Sequence, residues 1–185
     1  YVALLKACSK LKDLENGCRI HRDLRKRGLL LDIGNGFIGS TLVDMYAKCG
    51  NLEKAREVFD DVRDRDVVIW TSLISGYAEH GYGEKAFDCL EKLQSMGVHL
   101  DSVAIICNLK ACNITHARSK GQGVHAEIIK KGLVESDTLI GSSLVEMYCR
   151  YGLLEDARKV FEKLPSRDIV SWSVLIAGYM DHANG

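Results

Sequence analysis

IWTSLISGY, Ile69 to Tyr77, and SWSVLIAGY, Ser171 to Tyr179, lie 102 positions apart and are nearly one string. Within the first copy Trp70, Leu73, Ile74 and Tyr77 fall at i, i+3, i+4 and i+7, an apolar stripe of helical period. The duplication extends in both directions. LVDMY (Leu42 to Tyr46) returns as LVEMY (Leu144 to Tyr148) after 102 residues, and LLKAC (Leu4 to Cys8) as NLKAC (Asn108 to Cys112) after 104. Self-similarity of this kind marks a repeat array, so function is expected on a repeated surface rather than in a single cleft.

Three smaller units resemble one another within each copy. Their boundaries read as 1–35 (truncated), 36–66, 67–101, 102–137, 138–168 and 169–185 (cut short), with complete lengths of 31, 35, 36 and 31 residues. Each unit reads as two helices. In the second, Leu42, Val43 and Tyr46 stripe the first helix, Gly50 breaks it, and Leu52, Ala55, Val58, Phe59 and Val62 stripe the next. In the third, Gly81 and Gly83 break the chain before Ala86, Leu90 and Leu93 resume. Nothing alternates with period two, and the one proline, Pro165, falls where it stops a second helix. The expected fold is all-α: an α-solenoid of stacked helix-turn-helix repeats, because one hairpin cannot bury both faces alone.

Composition excludes several function classes. At 46% apolar residues the chain can build a shared core, its apolar runs are too short for a membrane span, and it reads as soluble. It opens inside a helical pattern and closes within a unit, so it reads as part of a longer array. Seven cysteines form no CxxC pair, and Cys8 and Cys112 occupy the slot that holds Tyr46, Tyr77, Tyr148 and Tyr179 in other units. They are expected to be reduced core thiols. His125-Ala126-Glu127 has the HxE form of a zinc-dependent deaminase, but a single cysteine, Cys149, follows it where that chemistry needs PCxxC. His125 also has a twin, His21, in the equivalent unit, so both are expected to be structural. No catalytic residue, metal or cofactor is expected.

LLKACSKLKDLENGCRIH, STLVDMYAKCGNLEKAREVFDDVRDRD and VVIWTSLISGYAEHGYGEKAFDCLEKLQSMGVHLD resemble, in order, the long, short and standard motifs of plant pentatricopeptide repeat proteins of the mixed-length subclass. The resemblance spans essentially the whole chain. One departure is a two-residue surplus between Gly28 and Gly39, expected to bulge the loop joining the first two units.

The resemblance implies single-stranded RNA binding, one base per repeat. The fifth and last residues of a unit then read one base edge, and the second residue helps sandwich the base. Fifth residues here are Val2, Ser40, Thr71, Ile106, Ser142 and Ser173; Asp66, Asp101 and Asp168 are last residues. By the family's pairing rule, Ser40/Asp66, Thr71/Asp101 and Ser142/Asp168 are each expected to favour guanine, and Ser173 a purine. The long units, with Val2 and Ile106, are assigned no base. Phe37, Val68, Leu139 and Val170 hold second positions.

Helical period alone puts the fifth residue about a quarter-turn or somewhat more from the apolar stripe, bordering a groove. Two plainer roles compete. The hydroxyls can cap or solvate their own helix, and each aspartate can N-cap the next one. Partial burial equally accounts for the valines.

Charge is balanced at 25 basic and 25 acidic residues, an awkward match to a phosphate backbone. Residues 1–35 carry eight basic against four acidic, 102–137 five against three, and the units 36–66 and 67–101 are net negative. Arg19, Arg22, Arg25, Lys26, Arg27, Lys130 and Lys131 are candidates for phosphate steering, with solvated outer-helix charge as the plainer reading. The resemblance further implies a targeting portion of an organellar RNA-processing factor, in chloroplast or mitochondrion, acting in C-to-U RNA editing with editing partner proteins. Any deaminase domain would lie outside this chain, and neither a membrane nor a small-molecule substrate is expected. A tetratricopeptide-like scaffold that binds peptides is the competing reading, and it predicts a uniform 34-residue period that this chain lacks.

Overall fold

The computed structural model describes residues 1–29, 36–63, 65–98 and 100–183, which form two compact bodies, Tyr1–His99 and Leu100–Gly185. The expected loop surplus between Gly28 and Gly39 lies largely outside the described residues. Among the described residues there are twelve helices and no strand.

In the first body, α1 (Val2–Leu11), α3 (Gly36–Lys48) and α5 (Val67–Glu79) form a row in which α3 packs on both neighbours. The second helices α2 (Leu14–Lys26), α4 (Leu52–Asp61) and α6 (Gly83–Ser95) each lie against the first helix of their own hairpin. The second body repeats the scheme. Its row is α7 (Ser102–Thr115), α10 (Thr138–Arg150) and α12 (Ile169–Ala183), with α8 (Arg118–Lys130) against α7 and α11 (Leu154–Glu162) against α10. A single extra turn, α9 (Leu133–Ser136), precedes α10 and has no counterpart in the sequence reading. The fold is an all-α repeat solenoid.

The expected stripes form the core. Leu42, Val43 and Tyr46 on α3, with Trp70, Leu73, Ile74 and Tyr77 on α5, are buried, as are Ala55, Val58 and Phe59 on α4. Cys8 and Cys112 are buried in the slot that Tyr46 and Tyr77 fill elsewhere. On α12 the equivalent Trp172, Ile176 and Tyr179 are exposed, because no described helix covers α12 as α6 covers α5. Second helix meets next first helix through an edge-on aromatic pair in both bodies, Phe59 with Trp70 at 4.6 Å and Phe161 with Trp172 at 4.7 Å. Such pairs contribute about 0.5–1.5 kcal/mol beyond the area they bury.

Small residues let the rows close up. A Cβ placed on Gly76 of α5 would sit 2.6 Å from Ala47 Cβ of α3, so α5 lies where only glycine fits. The same juxtaposition recurs between Gly178 of α12 and Cys149 of α10. At the end of α3 the chain reverses through Gly50 at φ 81°, where the amide of Asn51 returns to Tyr46 O at 3.0 Å. His80, at the end of α5, covers that turn, with Nε2 2.9 Å from Ala47 O, a carbonyl that also accepts from the Gly50 amide at 3.0 Å. His182 repeats the bond to Cys149 O at 2.8 Å, over Gly152 at φ 72°.

Gly76→Ala is therefore expected to destabilise the first body by about 1–3 kcal/mol, although alanine favours helix more than glycine does. Ala47→Gly in the same chain should recover part of that loss, measured as the urea midpoint followed by circular dichroism.

Candidate functional site

The junction between one hairpin and the next is built from two adjacent residues, Arg65-Asp66 and again Arg167-Asp168. Arg65 folds back over the ring of Phe59 at 4.9 Å and donates from Nε to Phe59 O at 3.0 Å and from Nη2 to Asp60 O at 2.8 Å. It thereby closes α4. Asp66 opens α5 by accepting from the Ile69 amide at 2.9 Å. Arg167 donates from Nη2 to Glu162 O at 2.9 Å, and Asp168 accepts from the Ser171 amide at 2.8 Å. Asp101 caps α7 through Ala104 N at 2.8 Å, and Asp137 caps α10 through Ile140 N at 3.2 Å.

The aspartates are thus N-caps, the plainer of the two roles open to them. Each cap is made by Oδ1 and does not require Oδ2. Asp66, Asp101 and Asp168 are exposed. The Ser171 amide at Asp168 holds its carboxyl below the usual range.

One residue after each helix start, the expected second-position side chains stand clear of the core. Phe37 and Val68 in the first body, and Leu139 and Val170 in the second, are between 57% and 81% exposed. Partial burial therefore does not account for the valines, which are apolar side chains held in solvent at a helix start. The sequence reading missed Val103, second residue of α7, which is 51% exposed. Its signal is the slot itself, the second position of the unit 102–137.

The fifth residues sit deeper than helical period suggested. Ser40, Thr71 and Ser142 are each under a tenth exposed, at the margin of the packed row rather than in an open groove. Thr71 donates to Val67 O at 2.6 Å and Ser40 to Phe37 O at 3.2 Å, so those hydroxyl protons are bound to the residues' own helices. Ser173 is exposed and makes the same bond to Ile169 O at 2.6 Å. A hydroxyl that donates to the backbone keeps acceptor lone pairs for a ligand. Val2 and Ile106 are half-buried. Ser40 and Asp66 belong to helices in direct contact, as do Ser142 and Asp168. Thr71 lies in the first body and Asp101 in the second.

The basic candidates are placed elsewhere. Arg19, Arg22, Arg25 and Lys26 lie on α2 and Lys130 on α8, both second helices, outside the row that carries the second and fifth positions. Arg27 is paired with Asp23 at 3.0 Å and Lys131 with Glu127 at 2.8 Å. Steering by those two is accordingly reduced.

His21 and His125 are structural in the same way. The Nδ1 atom of His21 lies 2.8 Å from Tyr46 Oη, and His125 makes the matching bond to Tyr148. Burial depresses both imidazoles below their ordinary value. Glu127, the acid of the HxE string, is occupied by Lys131. All seven cysteines are free thiols, with burial pushing Cys112 and Cys149 up to about 11, far from the thiolate form that binds metal or attacks.

Comparison with known proteins places this geometry. The pentatricopeptide repeat matches residues 1–29, 40–67 and 142–169, and the pentatricopeptide repeat family matches residues 65–113, together well over half of the chain. A mitochondrial pentatricopeptide repeat-containing protein of Arabidopsis thaliana is 40% identical over 97% of this chain, which spans 17% of that protein. A chloroplastic one from the same plant is 39% identical over 95%, and the chain spans 28% of it. Among solved structures, the pentatricopeptide repeat protein PPR10 in complex with an 18-nt psaJ RNA element superimposes with a TM-score of 0.80. It is 19% identical, with 98% of this chain and 27% of that one covered. PPR10 from maize, in a further crystal structure, gives 0.68 at 19% identity, with 98% and 31% covered.

Because His21 and His125 titrate lower in the fold than their ordinary 6.5, the unfolded chain binds more protons below that pH. Their contribution is complete above it and is lost as pH falls. Urea midpoints should drop between roughly pH 7 and roughly pH 5.5, and the double variant His21→Gln/His125→Gln should flatten that drop.

Proposed function

The chain belongs to the pentatricopeptide repeat family, and on that premise we propose that it binds single-stranded RNA along its rows of first helices, about one base per repeat. The observation that carries this reading is the set of exposed apolar side chains, Phe37, Val68, Val103, Leu139 and Val170, each one residue after a helix start. In water such side chains gain nothing; against the flat face of a base they remove apolar surface from solvent. The capping aspartates stand beside them. Guanine offers two adjacent N–H donors on its Watson–Crick edge, which suit the outer carboxylate oxygen and the lone pair of a fifth-position hydroxyl.

On this reading the motif order is long, short, standard, with units at 1–35, 36–66, 67–101, 102–137, 138–168 and 169–185. Ser40/Asp66 and Ser142/Asp168 favour guanine, and Ser173 a purine. The long unit that contains Val103 and Ile106 holds a base by its face without reading its edge. Net-neutral charge and the placement of α2 and α8 mean that bases, more than phosphates, carry the affinity. The setting is organellar, as the mitochondrial and chloroplastic relatives from Arabidopsis support. We assign the chain to target selection in RNA processing, C-to-U editing in particular, with chemistry supplied by another domain or protein.

Ser142→Asn should move one position of the bound RNA from G toward U by about 1–3 kcal/mol in competition binding against single-base variants. An unchanged preference would refute the assignment. Phe37→Ala should weaken RNA by about 1–3 kcal/mol while leaving the urea midpoint in place, because its ring is 81% exposed and contributes little to the core.

A further inference from the structure

Between the second helices α8 and α11 of the second body lies a cavity of about 260 Å³. It is walled by Ile129, Val134 and Val160 on the apolar side and by His125, Tyr148, Asp156, Lys159 and Lys163 on the polar side. The volume suits one small polar group rather than a drug-sized molecule. Lys159 is held by Asp156 at 3.1 Å, whereas Lys163 has no ion-pair partner among the described residues. In the tautomer in which Tyr148 donates to Nδ1 of His125, the other ring nitrogen carries the proton and is a donor.

The first body contains the same His–Tyr pair in a different field. There the charges acting on His21 include Lys54, Glu57 and Asp61. Their sequence equivalents 102 residues on are Asp156, Lys159 and Lys163, so every one of the three positions has reversed its sign. On the neighbouring face of the same two helices nothing reverses: Glu53 matches Glu155, Arg56 matches Arg158, and Asp60 matches Glu162. The inversion is confined to the side chains around the histidine. Arg25, which also bears on His21, is replaced by Ile129, which supplies part of the apolar wall.

We propose that this cavity is an oxyanion site, taking a carboxylate or phosphate monoester group against Lys163 and Lys159 with the His125 ring as a further donor. The apolar wall excludes water from one side of the ion and strengthens its attraction to the ammonium groups. At His21 the positions of Lys159 and Lys163 are held by Glu57 and Asp61, with Lys54 and Arg25 also bearing on that ring. The site faces the second-helix layer, so it is independent of base recognition by the first helices.

The test is an NMR titration of the full chain, following the His125 ring against inorganic phosphate and, separately, acetate, at ionic strength held constant with chloride. A saturable shift of His125 with a Kd on the order of 1–10 mM, absent at His21, is the expected result. Phosphate binding tighter than acetate identifies a phosphate site, and the reverse a carboxylate site. Lys163→Asp, and the milder Lys163→Gln, should weaken binding roughly tenfold or more, with circular dichroism unchanged. Glu57→Lys/Asp61→Lys should confer a saturable shift on His21. A non-saturating shift, an equal response of His21 in the parent chain, or full binding by both Lys163 variants would overturn the proposal.

Discussion

α3 and α10 each have a first helix on either side, and how near these neighbours come is set by single small residues. α5 reaches α3 across Gly76 and Ala47, and α12 reaches α10 across Gly178 and Cys149. Close approach buries the flanks of each helix as well as its apolar stripe, which is why Ser40, Thr71 and Ser142 lie under a tenth exposed beside the core. It also brings a histidine from one helix over the C-terminal turn of the previous one. His80 and His182 each reach a carbonyl of the preceding first helix, adding a bond between hairpins to the one that carbonyl accepts from its own turn. Stability in such a stack is a property of interfaces more than of units.

The same geometry ties architecture to recognition. Arg65 and Arg167 finish one helix, and Asp66 and Asp168 begin the next in the adjoining position. A carboxylate fixed by its cap points its remaining oxygen in a defined direction without further loss of side-chain entropy on binding. The exposed apolar residue that follows by two is placed by the same helix start. On the proposed reading, structural capping and base reading are not rival accounts of the aspartates, because the first orients the oxygen that the second would use.

Repetition with variation also separates support from chemistry. The His–Tyr pair occurs in both bodies with one geometry, yet the three charges around it are opposite. What is kept joins helices; what differs alters the field that a solute meets. The string resembling a deaminase motif has its histidine bonded to tyrosine and its glutamate to lysine.

Hydrophobic period and internal duplication were sufficient to establish an all-α repeat array, because burying a stripe at 3.6-residue spacing leaves few other arrangements. Trp70, Leu73, Ile74 and Tyr77 were legible as core for that reason. Exposure was not legible. Period placed Ser40 and Thr71 at a groove edge, but their burial depends on how closely α1, α3 and α5 approach one another, which is decided by contacts between residues some thirty positions apart. For Val68 and Val170 spacing allows base clamping and partial burial equally, and only the packed row shows that they are exposed, as Val103 is in the same slot. The α9 turn, the pairing of Arg27 and Lys131, and the reversed field around His125 likewise follow from which side chains meet in space, information that one-dimensional spacing does not hold.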